Sequence, residues 1–335
     1  MDPTKAPRKR ASRQADREAM QIAARQWGAI TRVQALEAGM TSHQIANRLG
    51  TGQWRQAARG VYVVAGAPNR FELQVMVACL AGPVSATASH LTAAALFGLA
   101  KFPAVPQVTI APKASGRFGG ADTFRAALRP GERCIRSRIR CTSPARTVVD
   151  CAAAGLVDGE ALWDLVDTVL CRKLVRPNRL VQASKEALAS SRGRRRHRVE
   201  KLERALDVWR SGAPAGSPPE ARLQRKLMEW GFPPAERQVE VFDEDGKFVA
   251  RADLGIRELK ILFEYNSDEH HGPRFWLADD ARKERLEALG WIVIVVDRFD
   301  LRPSSTRLKE ELEQLVPPRL LRQDRKNCGA QRLAA

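Results

Sequence analysis

Nowhere in the 335 residues does an apolar run approach the roughly 18 residues that a membrane-spanning helix needs, which excludes a helical bilayer protein and predicts a chain with no membrane partner. The opening MDPTKAPRKRASRQADRE holds no apolar stretch of the kind a secretory signal requires. Its basic, polar make-up predicts a disordered arm over residues 1–15 of a cytoplasmic protein. Closely spaced cysteine pairs are lacking as well. Cys79, Cys134, Cys141, Cys151, Cys171 and Cys328 are scattered, with no C-x-x-C and no histidine at zinc-ligand spacing, so a zinc ribbon or finger is excluded and reduced thiols are expected. A balancing acidic charge is also missing. With 56 Lys and Arg against 38 Asp and Glu, the net charge is +18. Such an excess attracts polyanions, nucleic acid before an anionic membrane surface.

What is present is enough apolar residue, 44% of the chain, to fill more than one core, and the length predicts two or three domains. The charge is unevenly placed. From Ser217 to Arg302 there are fourteen Lys and Arg against eighteen Asp and Glu, leaving −4 there and +22 for the rest of the chain. A grip on phosphates therefore belongs mostly outside that acidic segment.

Residues 16–66 carry three short helical patterns. Met20, Ala23, Ala24 and Trp27 recur at helical spacing, then Val33 and Leu36, then Ile45 and Leu49. The second and third start on hydroxyl residues suited to capping, and Gly39 and the GTG of 50–52 close them. The following QWRQAARGVYVV alternates like a β-hairpin. Helix, helix, turn, helix and hairpin make a winged helix-turn-helix, whose third helix enters the major groove. Ser42, His43, Gln44, Asn47 and Arg48 are then placed to meet bases or phosphates, and Arg55 and Arg59 on the wing to reach the backbone. Three-helix modules also bind proteins, which is the competing reading.

Residues 70–180 mix helical and strand signals without a chemical motif. His90, on a helix of small residues, reads as a packed or capping side chain rather than a catalytic one. The run RGRRRHR at 192–198, with Arg194, Arg195 and Arg196 at its centre, is either a solvated loop or a strap that contacts phosphates. It precedes a helical stretch at 199–209 and the small, Pro-rich SGAPAGSPP, a linker by composition.

Ser217 caps a helix that ends at Gly231, with Glu220 in its first turn. Strand patterns follow at 238–243 and 247–254, and a third, LKILFEYN at 259–266, is apolar until Glu264. A helix at 274–290 and an apolar strand at 291–297 complete the segment. Neighbouring strands lie about 4.8 Å apart, so Asp253 and Glu264 near strand ends can bring their carboxylates to one place. Two close carboxylates repel unless a cation or proton stands between them. Magnesium, or manganese, is the natural guest, able to hold a phosphodiester oxygen and activate water, with Glu220 as a third carboxylate.

The order of these elements, with Glu220, Asp253, the EYN of 264–266, the histidines at 270 and 271 and the DDAR of 279–282, resembles the very-short-patch-repair-like branch of the PD-(D/E)XK nuclease superfamily. The front of the chain, WGAITRVQALEAGMTSHQIANRL at 27–49 with Trp54 and RGVYVV at 59–64, then SHLTAAALFGL at 89–99 and TSPARTVVD at 142–150, resembles the AbiEi-type antitoxins, whose N-terminal domain is a winged helix. The nuclease resemblance implies metal ligation by Asp253 and Glu264 with support from Glu220. It implies a polar role for His270 or His271, and a meeting of Arg282 with a phosphate or a site carboxylate. Asn266 stands where the superfamily has lysine and the branch an acidic residue. It can orient water but supplies no charge, so a base or charge-stabilising group would come from His270, His271, Arg282 or Arg285. The competing reading pairs Glu264 with Arg282 or Arg285 in a domain kept for binding alone.

The expected architecture is a multidomain α+β chain. The basic arm of 1–15 is followed by a winged helix-turn-helix at 16–66, an antitoxin-like α/β middle domain at 70–180 and a basic helix and linker at 190–218. Residues 219–302 are expected to form an α/β/α restriction-endonuclease-like domain with a small mixed sheet, and 303–335 a helix and basic tail. The expected function is magnesium-dependent cleavage of DNA, or alternatively antitoxin-type regulation of transcription. DNA is the expected partner, with a cognate toxin in the regulator reading, and a homodimer is the arrangement that paired DNA half-sites favour.

Overall fold

Two threonines ten residues apart open the first pair of short helices. Thr31 and Thr41 each accept the amide of a glutamine three residues on, and each glutamine side chain reaches back to the threonine amide, a reciprocal capping box. The computed structural model describes residues 5–114, 120–210, 216–233, 235–265, 282–302 and 304–316. Its first segment runs α1 (Lys5–Arg25), β1 (Ala29–Thr31), α2 (Arg32–Glu37), α3 (Ser42–Gly50), β2 (Trp54–Ala58) and β3 (Val61–Val64). The strands form an antiparallel sheet in the order β1-β3-β2. Ala15, Ala19 and Ala23 of α1 pack with Ile30, Ala35, Ile45, Trp54 and Tyr62 in one core. Helix α1 begins at Lys5, where a disordered arm is expected from charge. Lys, Arg, Gln and Ala are good helix formers, and Pro7 falls in the first turn, where it is tolerated.

The chain continues through α4 (Phe71–Ala81), β4 (Thr87–Ala88), α5 (His90–Leu96), β5 (Gln107–Ile110), β6 (Asp122–Arg125), β7 (Arg133–Arg136), β8 (Ile139–Thr142) and α6 (Pro144–Ala154). These strands make a mixed sheet in the order β6-β5-β4-β8-β7. β4 runs parallel to β8 and antiparallel to β5, and β7 and β8 are an antiparallel hairpin. Ala29, Val61 and Val63 share a core with Leu73, Val75 and Met76 of α4 and with Ile139 and Cys141 of β8, so the first segment and this sheet are packed together.

Next come α7 (Gly159–Cys171), α8 (Pro177–Ser190), α9 (Gly193–Ala205), α10 (Asp207–Arg210) and α11 (Pro218–Trp230). The arginine run of 192–198 lies largely on α9, not on an extended strap. Strands β9 (Glu236–Phe242), β10 (Phe248–Ile256) and β11 (Ile261–Tyr265) form a meander. Helix α12 (residues 282–288) and β12 (Ile292–Val296) follow, and then α13 (Arg307–Leu315). The sheet order is β12-β11-β10-β9, with β12 parallel to β11 and the other pairs antiparallel. One core joins Leu223 and Leu227 of α11, Leu308 and Leu312 of α13, and Leu254, Ile261, Phe263 and Ile294 of the strands. A second joins Leu286 of α12 to Val239, Ala252 and Leu262, so helices cover both faces. Helix α7 packs against α11. Asp167 of α7 is buried and accepts bonds from Trp209 Nε1 at 2.8 Å and from both terminal nitrogens of Arg225 at 3.0 and 3.1 Å.

The molecule is mixed α/β and divides into two compact units whose segments interleave along the chain. One comprises 1–158 with 178–202, and the other 159–177 with 203–335. Among the described residues, no helix is long and apolar enough to cross a membrane.

Candidate nucleic-acid interface and a carboxylate pair

The capping that starts α3 also decides which of its side chains are available. Gln44 Oε1 accepts the Thr41 amide at 2.7 Å while Nε2 donates to Ser12 Oγ at 2.7 Å, so this amide is spent on the helix start and on α1. Arg48 forms a 2.6 Å ion pair with Asp16, donates to Gln53 Oε1 at 2.8 Å and lies over the Trp54 ring. It ties α1, α3 and β2 together. Gln44 and Arg48, expected to meet DNA, are thus engaged in holding the fold. Ser42, His43 and Asn47 of α3, Arg55 on β2 and Arg59 in the hairpin turn are exposed. Arg32, not anticipated, joins them. It is exposed in the first turn of α2 and donates through Nη2 to Ser42 Oγ at 2.9 Å. A cation in the first turn runs against the helix dipole, and that mismatch was the available signal that Arg32 answers to something other than its own helix.

Arg194, Arg195 and Arg196 are exposed on the first turn of α9. Arg195 Nε donates to Ser191 Oγ at 3.2 Å, and Arg196 Nε to Glu200 Oε1 at 3.1 Å.

His90 is a packed residue, as its small-residue helix suggests. It is 5% exposed, Nδ1 lies 2.8 Å from Ser89 Oγ, and its ring stacks on Phe124 with centroids 3.6 Å apart. Burial, then the charges of Arg146 and Arg195, bring its pKa down to about 3, so the ring is neutral near pH 7. Arg146 joins two buried acids, donating to Glu132 Oε2 at 3.1 Å and to Asp150 Oδ1 at 2.9 Å.

In the second unit the register of the meander bears directly on the expected carboxylates. β10 and β11 pair Leu254 with Phe263, Gly255 with Leu262 and Ile256 with Ile261. Asp253 and Glu264 are the next residues along the two strands, just beyond the last paired residues Leu254 and Phe263. Leu262, two residues before Glu264, packs with Leu286 of α12. Asp253 Oδ1 accepts from Gln238 Nε2 at 3.3 Å. Glu264 is held by Arg282, whose Nη2 donates to Oε1 at 2.7 Å and to Oε2 at 2.8 Å. Arg285 pairs with Asp243 at 3.6 Å instead. Glu220 departs from the role of third carboxylate. It is 8% exposed, and its oxygens accept from the Gly216 amide at 3.0 Å and from Ser217 Oγ at 2.8 Å, closing the start of α11. Asn266, His270, His271 and Asp279 lie outside the described residues.

Magnesium prefers several oxygen ligands in octahedral array. Among the described residues no group of three or more His, Cys, Asp or Glu could hold a metal ion. With Glu264 clasped by Arg282 and Glu220 turned to its own helix, the described side chains do not complete a magnesium site.

An exposed polar face on the capped helix α3 thus stands in the same segment as a hairpin carrying two exposed arginines. Residues 17–65 match the model of a family described as transcriptional regulator, AbiEi antitoxin. The chain is also similar to uncharacterized proteins from two strains of Mycobacterium tuberculosis, 30% identical over 123 residues in each case. That stretch is 36% of this chain and 44% of each relative, so the match spans less than half the length of these proteins.

Proposed function

We propose that this protein is a DNA-binding regulator of the antitoxin type, in which residues 17–65 act as a winged helix. The observation that carries the reading is the coincidence of the family match with the exposed set His43, Asn47, Arg55 and Arg59. Asn47 on α3 suits bidentate contact with an adenine edge, and the two wing arginines suit phosphates. Duplex DNA is the partner in this reading, and a cognate toxin or a second copy of the chain belongs to the same proposal.

A second reading, a metal-dependent endonuclease in residues 219–302, is favoured by the place of Asp253 and Glu264 just past the paired ends of neighbouring strands and by the helix, three-strand meander, helix, strand order around them. The hold of Arg282 on Glu264 favours a binding role for that domain, and the regulator is therefore the primary reading.

One experiment addresses both. The purified chain is titrated with a pool of duplex DNA by fluorescence anisotropy at several salt concentrations, and portions are incubated with plasmid and Mg²⁺ or Mn²⁺. Removing two phosphate contacts with the double substitution Arg55→Ala, Arg59→Ala is expected to weaken binding on every sequence. It should also reduce the slope of log K against log salt by about 2. Asn47→Ala is expected to relax sequence preference at one position, at a cost of roughly 1–3 kcal/mol. Unchanged affinity and slope in the arginine variant would end the regulator reading. Plasmid cleavage lost in Asp253→Ala would establish the nuclease reading, and none above that variant would end it.

A further inference from the structure

The β7–β8 hairpin places two thiols directly opposite one another. Cys134 pairs with Cys141 across the strands, and their sulfurs are 3.6 Å apart. Opposed residues of an antiparallel pair have Cα atoms roughly 4.5–5.5 Å apart, inside the span a disulfide requires. Closing the gap from 3.6 Å to a bond of about 2.05 Å is a short approach of two sulfurs already in contact. The two sulfurs are not equivalent. Cys141 is fully buried, whereas Cys134 is half-buried and within reach of a small oxidant.

We propose that Cys134 and Cys141 form a dithiol site that a hydroperoxide converts reversibly into an intrachain disulfide. The Cys134 thiolate attacks one peroxide oxygen, breaking the O–O bond to give a sulfenic acid and, with a proton from solvent, water or the alcohol. The Cys141 sulfur then attacks the Cys134 sulfur. The S–O bond breaks, a second water leaves with the Cys141 proton, and the two thiols have lost two electrons to the peroxide. A dithiol reductant restores them by exchange.

The division of roles follows from the surroundings. The two sulfurs share a hydrogen bond that a Cys134 thiolate would accept from Cys141, and Arg136 adds its charge. Against the opposing effect of burial, these bring the Cys134 pKa down to about 7. Cys141 is shifted up by the same hydrogen bond and by burial, so it is the sulfur that keeps its proton while Cys134 is the one that reacts first. The other described thiols are placed otherwise. Burial pushes Cys79 and Cys171 up to about 12 and raises Cys151 as well.

The hairpin is also fastened to the segment that matches the regulator family. At its tip Ser137 and Arg138 both adopt positive φ, 49° and 64°, as a two-residue type I′ turn requires. The Ser137 carbonyl accepts Trp27 Nε1 at 2.7 Å, and Arg138 Nη1 donates to the Ala24 carbonyl at 3.1 Å. A cross-link at Cys134 and Cys141 would therefore stiffen a hairpin on which α1 and Trp27 rest.

The test uses the full reduced chain. It is exposed to hydrogen peroxide, alkylated and digested with trypsin, which cuts after Arg133, Arg136, Arg140 and Arg146 and so separates the two cysteines onto peptides 134–136 and 141–146. Those peptides are expected joined, two hydrogens lighter than their sum and at least tenfold more abundant than any other cysteine pairing. Dithiothreitol before alkylation should abolish the species. In Cys141→Ser, with folding verified by circular dichroism, Cys134 is expected to accumulate as a sulfenic acid trapped by dimedone. Cys79→Ser should leave the joined peptide unchanged. The proposal is overturned if both peptides stay fully alkylated after peroxide, or if Cys134 joins a cysteine of a second chain instead. Because the joined peptide is read in the unsubstituted chain, its presence or absence decides the matter even if Cys141→Ser fails to fold.

Discussion

His90 is a residue whose burial has a definite signature in pH. In the unfolded chain it titrates near 6.5, and in the folded chain near 3. Between those values the unfolded state binds a proton that the folded state refuses, so stability falls as pH drops through that window. His90→Gln keeps a polar side chain without the titration. Urea unfolding from pH 6.5 to 4.5 is expected to show the unsubstituted chain losing stability relative to the variant, by at most about 1.4 kcal/mol per pH unit. Parallel curves would mean that the ring gains its charge in place. Asp167, which burial pushes up to about 6, acts with the opposite sign in this window and cancels in the comparison. That His90 is packed could be read from the small residues around it. Gln44 and Glu220 were harder, because a side chain that reads a base or holds a metal and one that closes a helix start occupy the same position of the same turn. What distinguishes them is the spacing Thr41 to Gln44 and Ser217 to Glu220, a capping pattern written in the sequence. That Glu264 meets Arg282 was among the sequence-level alternatives, but no spacing could choose between that ion pair and a metal.

Elements with strong periodicity or clean punctuation were legible. Ser217 and Gly231 bracket α11 as expected, and the strands of the second unit fall within about two residues of their apolar runs. Two-residue β4 and exposed β6 were not, since neither is long enough to show alternation. The join between α6 and α9 was equally hidden, because it depends on tertiary approach. Helix α6 ends on Gly155 at φ 71°, and the Arg198 guanidinium lies where a Cβ would project, 2.5 Å from it. Arg198 Nη1 donates to the Ala154 carbonyl at 3.0 Å. Gly155→Ala is therefore expected to cost the roughly 1 kcal/mol that positive φ imposes and, by moving the Arg198 guanidinium aside, its bond to the Ala154 carbonyl as well. The combination with Arg198→Ala should cost less than the sum of the single changes, since removing the guanidinium relieves the clash. Additive effects in chemical denaturation would show that the two residues do not meet.

At the scale of the whole molecule, charge separates what packing does not. Residues 217–302 are net acidic while the remainder carries +22, so the excess of positive charge lies outside the segment that forms the β9–β12 sheet. The interleaving of the two units has a mechanical side. Residues 178–202 supply the first unit with Glu186 for Arg129, Arg198 for the Ala154 carbonyl and Lys201 for Asp158. A chain cut after residue 158 is expected to melt at least about 3 °C below one cut after residue 202, the change that ~1 kcal/mol makes in a unit of this size. Equal melting temperatures would show that the returning segment is an ornament. Synthesis meets the same arrangement in time. At roughly 5–20 residues per second, the ribosome needs on the order of 2–9 s to pass from residue 158 to residue 202. During that interval the first core lacks its last piece, while helix α7, which belongs to the second, has already begun to emerge. Two unfinished interiors are then present at once, a consequence of the order in which the chain feeds its two units.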